Sequence, residues 1–300
     1  MKIAITGGTG LVGEALSREL IEKGHEVYIL TRNTNGLNSS SNPRYIQWLN
    51  SGDQPEKELA GIEAIVNLAG ATINSRWTDE YKRKILESRL QAASEVKKIM
   101  ELLPVKPRVL VNASAVGYYG TSTIEEFTEQ SPPGHDFLAE TVQHWEAAAS
   151  EAQALGVRIV LCRFGVILDR KAGALPRIAL PYNLFAGGKI GSGNQWLSWI
   201  HIEDVIGGVL FAIENTDLEG PVNFSAPSPV TMDEFGKVLS QIMKRPHWLP
   251  VPSFALKILL GEMSILVLEG QQALPEKLLK AGYPFRYPDL RDALQDIFSN

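Results

Sequence analysis

Short apolar runs alternate with longer stretches of helical period through residues 1–165. That pattern predicts repeated strand–helix–strand units around a parallel sheet. The predicted strands are Lys2–Thr6, Glu26–Thr31, Ala64–Leu68, Arg108–Ala113 and Val157–Phe164. Their continuous apolar character suits strands covered on both faces. A helix is expected from Leu11 to about Lys23, ended by Gly24. A second starts at the cappable, acidic Thr78-Asp79-Glu80 and carries Ile85, Leu86, Leu90, Val96, Ile99, Met100 and Leu103 at helical spacing. A third is expected over Phe137–Ala149, capped by Asp136, with Leu138, Val142, Trp145 and Ala149 recurring on one face. Asn33–Ser41, rich in Asn and Ser, reads as an exposed loop.

Beyond residue 166 the pattern changes. AGGKIGSGNQW (186–196) reads as a long glycine-rich loop, followed by a strand-like SWIHIEDV and a helix. Residues 219–252 carry many prolines, and 253–297 alternate helical runs with Pro-rich AGYPFRYPDL. The expected division is a nucleotide-binding domain over 1–165, with 198–216 returning to it. A smaller α+β substrate or lid domain would take 166–197 and 217–300.

The chemistry begins at Gly7-Gly8-Thr9-Gly10-Leu11-Val12-Gly13, directly after a strand and at the start of a helix. Gly7 permits a tight turn, Gly10 with Gly8 lets the backbone approach a pyrophosphate, and Gly13 lets helix pack on strand. The helix N-terminus adds free N–H groups and positive partial charge for the anion. This is the fingerprint of a dinucleotide-binding, doubly wound fold of the Rossmann type. An NAD-preferring site places an acid about twenty residues on, for the ribose 2′-hydroxyl. Thr31-Arg32 stands there instead, and an arginine fork suits a 2′-phosphate, so NADP(H) is expected over NAD(H). Leu68-Ala69-Gly70, after Asn67, would let a ribose lie against the backbone.

Composition narrows the rest. With 44% hydrophobic and 21% charged residues the chain is of globular type, and a net charge of −5 argues against nucleic acid as partner. The late apolar stretch Phe254 to Leu268 is interrupted by Lys257 and Glu262 and is too short to span a bilayer. The single cysteine, Cys162, excludes an internal disulfide and reads as a buried small side chain, which fits a cytoplasmic protein.

TGGTGLVG, NLAGA, VNASAVGYYG and WIHIEDV, in that order, resemble the extended short-chain dehydrogenase/reductase superfamily. A closer resemblance is to its atypical epimerase-family branch, nucleoside-diphosphate-sugar epimerase-like, with a C-terminal domain of undefined function. That likeness rests on Ser75-Arg76-Trp77, Ser88-Arg89, FLAE followed by WEAAA, GGKIGSGNQWLSWIHIEDV, Arg245-Pro246 and Tyr287-Pro288. The superfamily's chemistry uses a serine, a tyrosine and a lysine four residues after the tyrosine. Ser114 matches the serine, beside the cofactor. None of the eight tyrosines is followed by a lysine four residues later. On the matching helix, Phe137–Ala149, the pair is replaced by apolar residues and threonine, so tyrosine-dependent chemistry does not carry over.

Substitutes are sought among nearby polar groups. Tyr118 and Tyr119 follow Ser114 in a loop at the carboxyl edge of the sheet, where a substrate can be hydrogen-bonded. If Ile200 and Ile202 face the core, Trp199 and His201 share a face that could line a cleft; Asp204 reads as a helix N-cap. Arg76 and Arg89 suit a phosphate or carboxylate. Loop 186–196, with Lys189, Asn194, Gln195 and Trp196, suits a lid. Glu140, His135 and His144 are expected to face solvent, and no residue spacing suggests a metal.

The resulting expectation is an NADP-binding, epimerase- or oxidoreductase-like protein acting on a small polar molecule of the nucleotide-sugar kind. Ser114, Tyr119 and His201 are its catalytic candidates, and Arg76, Arg89, Tyr118 and Trp199 its substrate-binding ones. The alternative is a redox-silent NADP(H) sensor or scaffold with a protein partner. The resemblance allows a monomer, or a homodimer through helices Thr78–Leu103 and Phe137–Ala149.

Overall fold

The computed structural model describes residues 1–37 and 41–299; Asn38, Ser39 and Ser40 of the expected loop 33–41 lie outside the described residues. β1 (Lys2–Thr6), α1 (Leu11–Glu22) and β2 (Glu26–Thr31) make the first unit, followed by β3 (Arg44–Gln47) and β4 (Ala64–Asn67). Then come α2 (Asp79–Leu102), β5 (Val109–Ala115), β6 (Glu126–Phe127), α3 (Phe137–Ser150), β7 (Arg158–Phe164) and β8 (Val166–Leu168). The chain continues through α4 (Leu175–Asn183), β9 (Trp196–Leu197), β10 (Trp199–His201), α5 (Ile202–Glu214), β11 (Gly220–Phe224), β12 (Val230–Thr231) and α6 (Met232–Met243). It ends with α7 (Ser253–Leu260), α8 (Ile265–Leu268), β13 (Gln272–Ala273), α9 (Glu276–Lys280) and α10 (Leu290–Ser299).

Seven strands form one parallel sheet in the order β11-β7-β5-β4-β1-β2-β3. The direction of growth reverses between β1 and β4. Loops leaving their carboxyl ends therefore part, and a crevice opens there. Side chains alternate between faces. Ile3 and Ile5 pack on one side with Leu16 and Leu20 of α1 and Val205 and Val209 of α5. Ala4, Leu30 and Ile65 pack on the other with Val96, Ile99 and Trp145. Cys162 is fully buried in β7, and burial pushes its thiol well above the ordinary range.

Two strands of this sheet escape the hydrophobic pattern, and both lie at its edges. In β3 only Ile46 is buried. β11 opens Gly-Pro and falls in the stretch expected to lie wholly in the C-terminal part, yet it pairs with β7 from Gly220↔Val160 to Phe224↔Phe164. Pro221 lacks an N–H, which an edge strand tolerates.

A separate core gathers Leu175, Tyr182, Trp199, Phe235, Leu239 and Leu294 from the α+β C-terminal region. Loop 186–196 packs inside this region. Gly187 O accepts from Trp248 and Leu249 N–H, and the loop is further tied to α6 by Met232 N–H to Gln195 O. A Cβ on Gly188 would stand 2.0 Å from Leu249 O, and one on Gly187 2.2 Å from the Tyr182 ring. Its glycines thus serve close approach, which corrects the expectation of a lid.

The cover over the crevice comes instead from 265–274. β13 pairs in parallel with β6, and the Ser198 hydroxyl donates to Gln271 O and accepts from Ala273 N–H. Gln195 Nε2 donates to Val267 O at 2.8 Å, fixing α8 from the other side.

Candidate functional site

The glycine loop is built by contact as much as by conformation. Gly7 has φ +66, and Gly10 N–H closes the turn on Gly7 O at 3.0 Å. A Cβ on Gly7 would lie 2.8 Å from Leu68 C and O, one on Gly8 2.6 Å from Ile29 Cγ2, and one on Gly13 2.3 Å from Gly7 O. Gly10 begins α1 with no side-chain cap, so the first-turn N–H groups of Leu11 and Val12 are open to a ligand. Behind the loop, the Thr6 hydroxyl donates to Asn67 Oδ1 at 2.6 Å and accepts from Leu68 and Ala69 N–H. Asn67 in turn donates to Asn112 Oδ1 at 2.6 Å, so three strand ends are held in one row.

Two cavities flank this loop. The first, about 660 Å³, is bounded by Gly7, Thr9 and Gly10, by Arg32 at the end of β2, and by residues 68–70 after β4. Lys84 and Ser88 of α2 face it from the opposite side. The second, about 420 Å³, starts at Leu11 and runs between the end of β5 (Ala115) with Val116 just beyond it and the inner face of α3. That face presents Leu138, Thr141, Val142 and Trp145. Thr141 spends its hydroxyl on Phe137 O at 2.7 Å. Among the described residues lining the second cavity there is no tyrosine, lysine or histidine. No group of three or more His, Cys, Asp or Glu is arranged to hold a metal among the described residues.

Behind the second cavity lies a buried polar chain. The Ser114 hydroxyl donates to Glu146 Oε1 at 2.5 Å. Glu146 accepts from Arg163 through Nε and Nη2, both at 2.8 Å. Arg163 Nη1 donates to the Tyr119 hydroxyl at 2.9 Å, and that hydroxyl donates to Asn223 Oδ1 at 2.7 Å. Burial works to lower the Arg163 pKa, but the hydrogen bond and charge of Glu146 outweigh it and hold the guanidinium above its ordinary value. Burial pushes Tyr119 up to about 12, partly offset by Arg163. Ser114, expected beside the cofactor, is 3% exposed, lines neither cavity and donates its hydroxyl hydrogen to the Glu146 carboxylate.

The model of the NAD dependent epimerase/dehydratase family matches residues 3–224, and that of a domain of unknown function, DUF1731, matches 251–297. The chain belongs to the NAD dependent epimerase/dehydratase family. Epimerase family protein YfhF of Bacillus subtilis is 48% identical over 301 residues, spanning 100% of this chain and 99% of that protein. The crystal structure of human epimerase family protein SDR39U1 (isoform 2) with NADPH has a TM-score of 0.88 at 34% identity, with 100% of both chains covered. A nucleoside-diphosphate sugar epimerase from Corynebacterium glutamicum has a TM-score of 0.80 at 31% identity, covering 100% of this chain and 59% of that one. MoeE5 in complex with UDP-glucose and NAD, at 18% identity, shares the fold.

In this family member the expected cofactor residues converge, whereas several expected chemical groups do not. Gly7–Gly13, Arg32, Leu68, Ala69 and Gly70 surround the first cavity or its loop. Arg89 lines the second cavity; its Nη1 donates to Ile85 O at 2.9 Å and Ala71 O at 3.1 Å. Arg76 is exposed and lines neither cavity. Tyr118 also lines neither, and the Arg163 guanidinium lies 3.5 Å over its ring. Glu140, His135 and His144 are exposed.

Trp199 and His201 are corrections. Trp199 is 0% exposed and donates its indole N–H to Ser228 O at 3.1 Å, deep in the C-terminal core. His201 is 2% exposed, and its Nδ1 accepts from Glu203 N–H, so the histidine itself caps α5. Its Nε2 faces Asp296 Oδ2 at 3.5 Å. Asp204, expected as the cap, is buried and accepts from the N–H groups of Arg286 and Tyr287. The two-faced alternation fails because β10 is covered on both sides. Tyr119, likewise, has its hydroxyl committed on both sides within the buried chain.

Glu146 and Arg163 escape a reading of the sequence for site residues. Their signal is a charged residue inside an otherwise apolar element, WEAAA in α3 and RIVLCRF in β7. Buried charges are found paired, so each implies a partner.

Proposed function

We propose that the chain binds NADP(H), with the adenosine end in the first cavity and the nicotinamide end in the second, and acts on a small molecule as an oxidoreductase or epimerase. The observation that carries this is the glycine loop between the two cavities, uncapped at α1 and too tight at Gly7 and Gly13 for any side chain. When bound, the dinucleotide supplies hydride chemistry. The chain's own groups do the rest. First-turn N–H groups meet the pyrophosphate. Arg32, exposed at the rim of the first cavity, pairs with the 2′-phosphate, with Lys84 on the same cavity. Leu138, Val142 and Trp145 exclude water from the second cavity. Ser114 is a positioning group held by Glu146. Any proton exchanged in the second cavity passes through Asp136 or Glu269, the carboxylates that line it, or through solvent. A cytoplasmic location fits the single buried cysteine.

Titration of the purified protein with NADPH and NADH tests the cofactor, and absorbance of NADPH with a panel of carbonyl compounds tests turnover. Equal affinities for the two dinucleotides would remove the NADP preference. A second reading, a redox-silent NADP(H) sensor, draws on the absence of tyrosine, lysine and histidine among the described residues lining the second cavity. It predicts tight NADPH binding with no turnover on any substrate tested.

A further inference from the structure

The second cavity has a chemistry that the fold does not dictate. Its walls are aliphatic and aromatic, with Leu138, Val142 and Trp145 on one side and Ile167, Ile265 and Leu266 on the other. Among the described residues a single cation, Arg89, lines it, against two carboxylates, Asp136 and Glu269. Arg89 spends Nη1 on two backbone acceptors, and its guanidinium lies 4.9 Å from the Trp145 ring centroid. Burial lowers its pKa to about 10. Lys189, the cation of the glycine-rich loop, is exposed outside this cavity.

A diphosphate leaving water must find cations or free N–H groups, since burying an unpaired charge costs far more than a hydrogen bond returns. Among its described lining residues the second cavity offers a diphosphate one half-buried cation, Arg89, against two carboxylates. Its polar anchor is of another kind. Gln271 lines the cavity beside Leu266, with its backbone O held by Ser198, while its side-chain amide makes no hydrogen bond among the described residues. An amide N–H there can donate to one carbonyl or hydroxyl oxygen. The volume, about 420 Å³, lies toward the small end of ligand sites, roughly 300–1,000 Å³, and the nicotinamide ring takes a share of it.

We infer that the second cavity takes a compact, uncharged, apolar carbonyl compound or its alcohol, with its oxygen toward Gln271, and not a nucleoside diphosphate sugar. This rests on the assignment of that cavity to the nicotinamide end. It names the substrate class and departs from the nucleotide-sugar expectation.

The test is calorimetric titration of the NADP⁺-saturated protein with cyclohexanone, benzaldehyde and UDP-glucose. Saturable binding of the two carbonyl compounds and none of UDP-glucose is the expected result. Leu266→Lys, which places a charge in the apolar wall, weakens both carbonyl compounds by about tenfold or more. Gln271→Leu weakens them by about threefold or more. Saturable UDP-glucose binding overturns the inference, and so does failure of both carbonyl compounds to bind. NADP⁺ affinity is measured first. If NADP⁺ does not bind, the dinucleotide reading fails separately, and the same titrations on the protein alone decide which class of molecule the cavity takes.

Discussion

Arg163 on β7 and Glu146 on α3 meet through two parallel hydrogen bonds of 2.8 Å, with 2% and 7% of their surfaces exposed. The pair ties α3 to the sheet at the level of Ser114. Helix α3, which contains no tyrosine or lysine, therefore keeps its place, and with it the apolar wall of the second cavity. Removing one partner strands the other. Glu146→Ala is expected to cost about 3–5 kcal/mol, because an uncompensated guanidinium stays buried. Ser114→Ala, which removes one hydrogen bond to the same carboxylate, should cost less, about 1.5–3 kcal/mol. Urea denaturation of the two variants checks the order, and equal losses would contradict it.

Gly13 admits no Cβ, since Gly7 O stands 2.3 Å from where it would sit and the other near atoms, Gly8 Cα and C, are backbone too. Gly13→Ala must push the first turn of α1 away from β1 and spoil the N–H groups aimed at the pyrophosphate. The expected outcome is a loss of NADPH affinity of about a hundredfold or more, near 3 kcal/mol, with far-ultraviolet circular dichroism unchanged. Fluorescence titration measures it.

On the proposed reading, Arg32 at the rim of the first cavity sets the dinucleotide preference. A charge-assisted hydrogen bond contributes about 1.5–3 kcal/mol, so Arg32→Ala should weaken NADPH by roughly tenfold to a hundredfold. NADH, which lacks the 2′-phosphate, should be unaffected. Parallel titrations of both dinucleotides decide it, and an equal loss for the two would reassign Arg32 to a general role.

His201 makes stability depend on acidity. Burial lowers its pKa, with Asp296 opposing, so the folded protein holds the ring neutral while the unfolded chain takes up a proton near pH 6.5. Its contribution is complete above the unfolded value and is lost as pH falls through that value toward the lowered folded one. His25, also lowered by burial, acts in the same direction. The melting temperature should fall between about pH 7 and about pH 5.5, and fall less in His201→Gln. Calorimetric scans at both acidities provide the measurement.

Much of the fold is legible in sequence where the physics is local. Central strands run apolar because both faces are covered, so β1, β2, β4, β5 and β7 stand out within a residue or two. The glycine loop is legible for the same reason: its requirements, a positive φ at Gly7 and missing side chains at Gly8 and Gly13, are local. Edge strands β3 and β11 stay hidden because one side needs no partner and polar residues or proline are tolerated there. Trp199 and His201 mislead because period-two alternation reports two faces and is silent on what covers them. Pairings such as Ser114 with Glu146, or Tyr119 with Asn223, depend on tertiary register that no local window contains.

The strap over residues 265–274 has a consequence for how the site comes into being. Leu11 and Leu266 bound the same cavity from near opposite ends of the sequence, and Ser122, Phe127 and Ser198 fasten that strap to the body by backbone and hydroxyl bonds. On a ribosome the glycine loop can fold early, whereas the chamber beside it gains its far wall only after α8 and β13 emerge. Contacts of such sequence separation form late and slowly. The first cavity is thus bounded wholly by residues before 92, whereas the second waits for a segment about 170 residues further on.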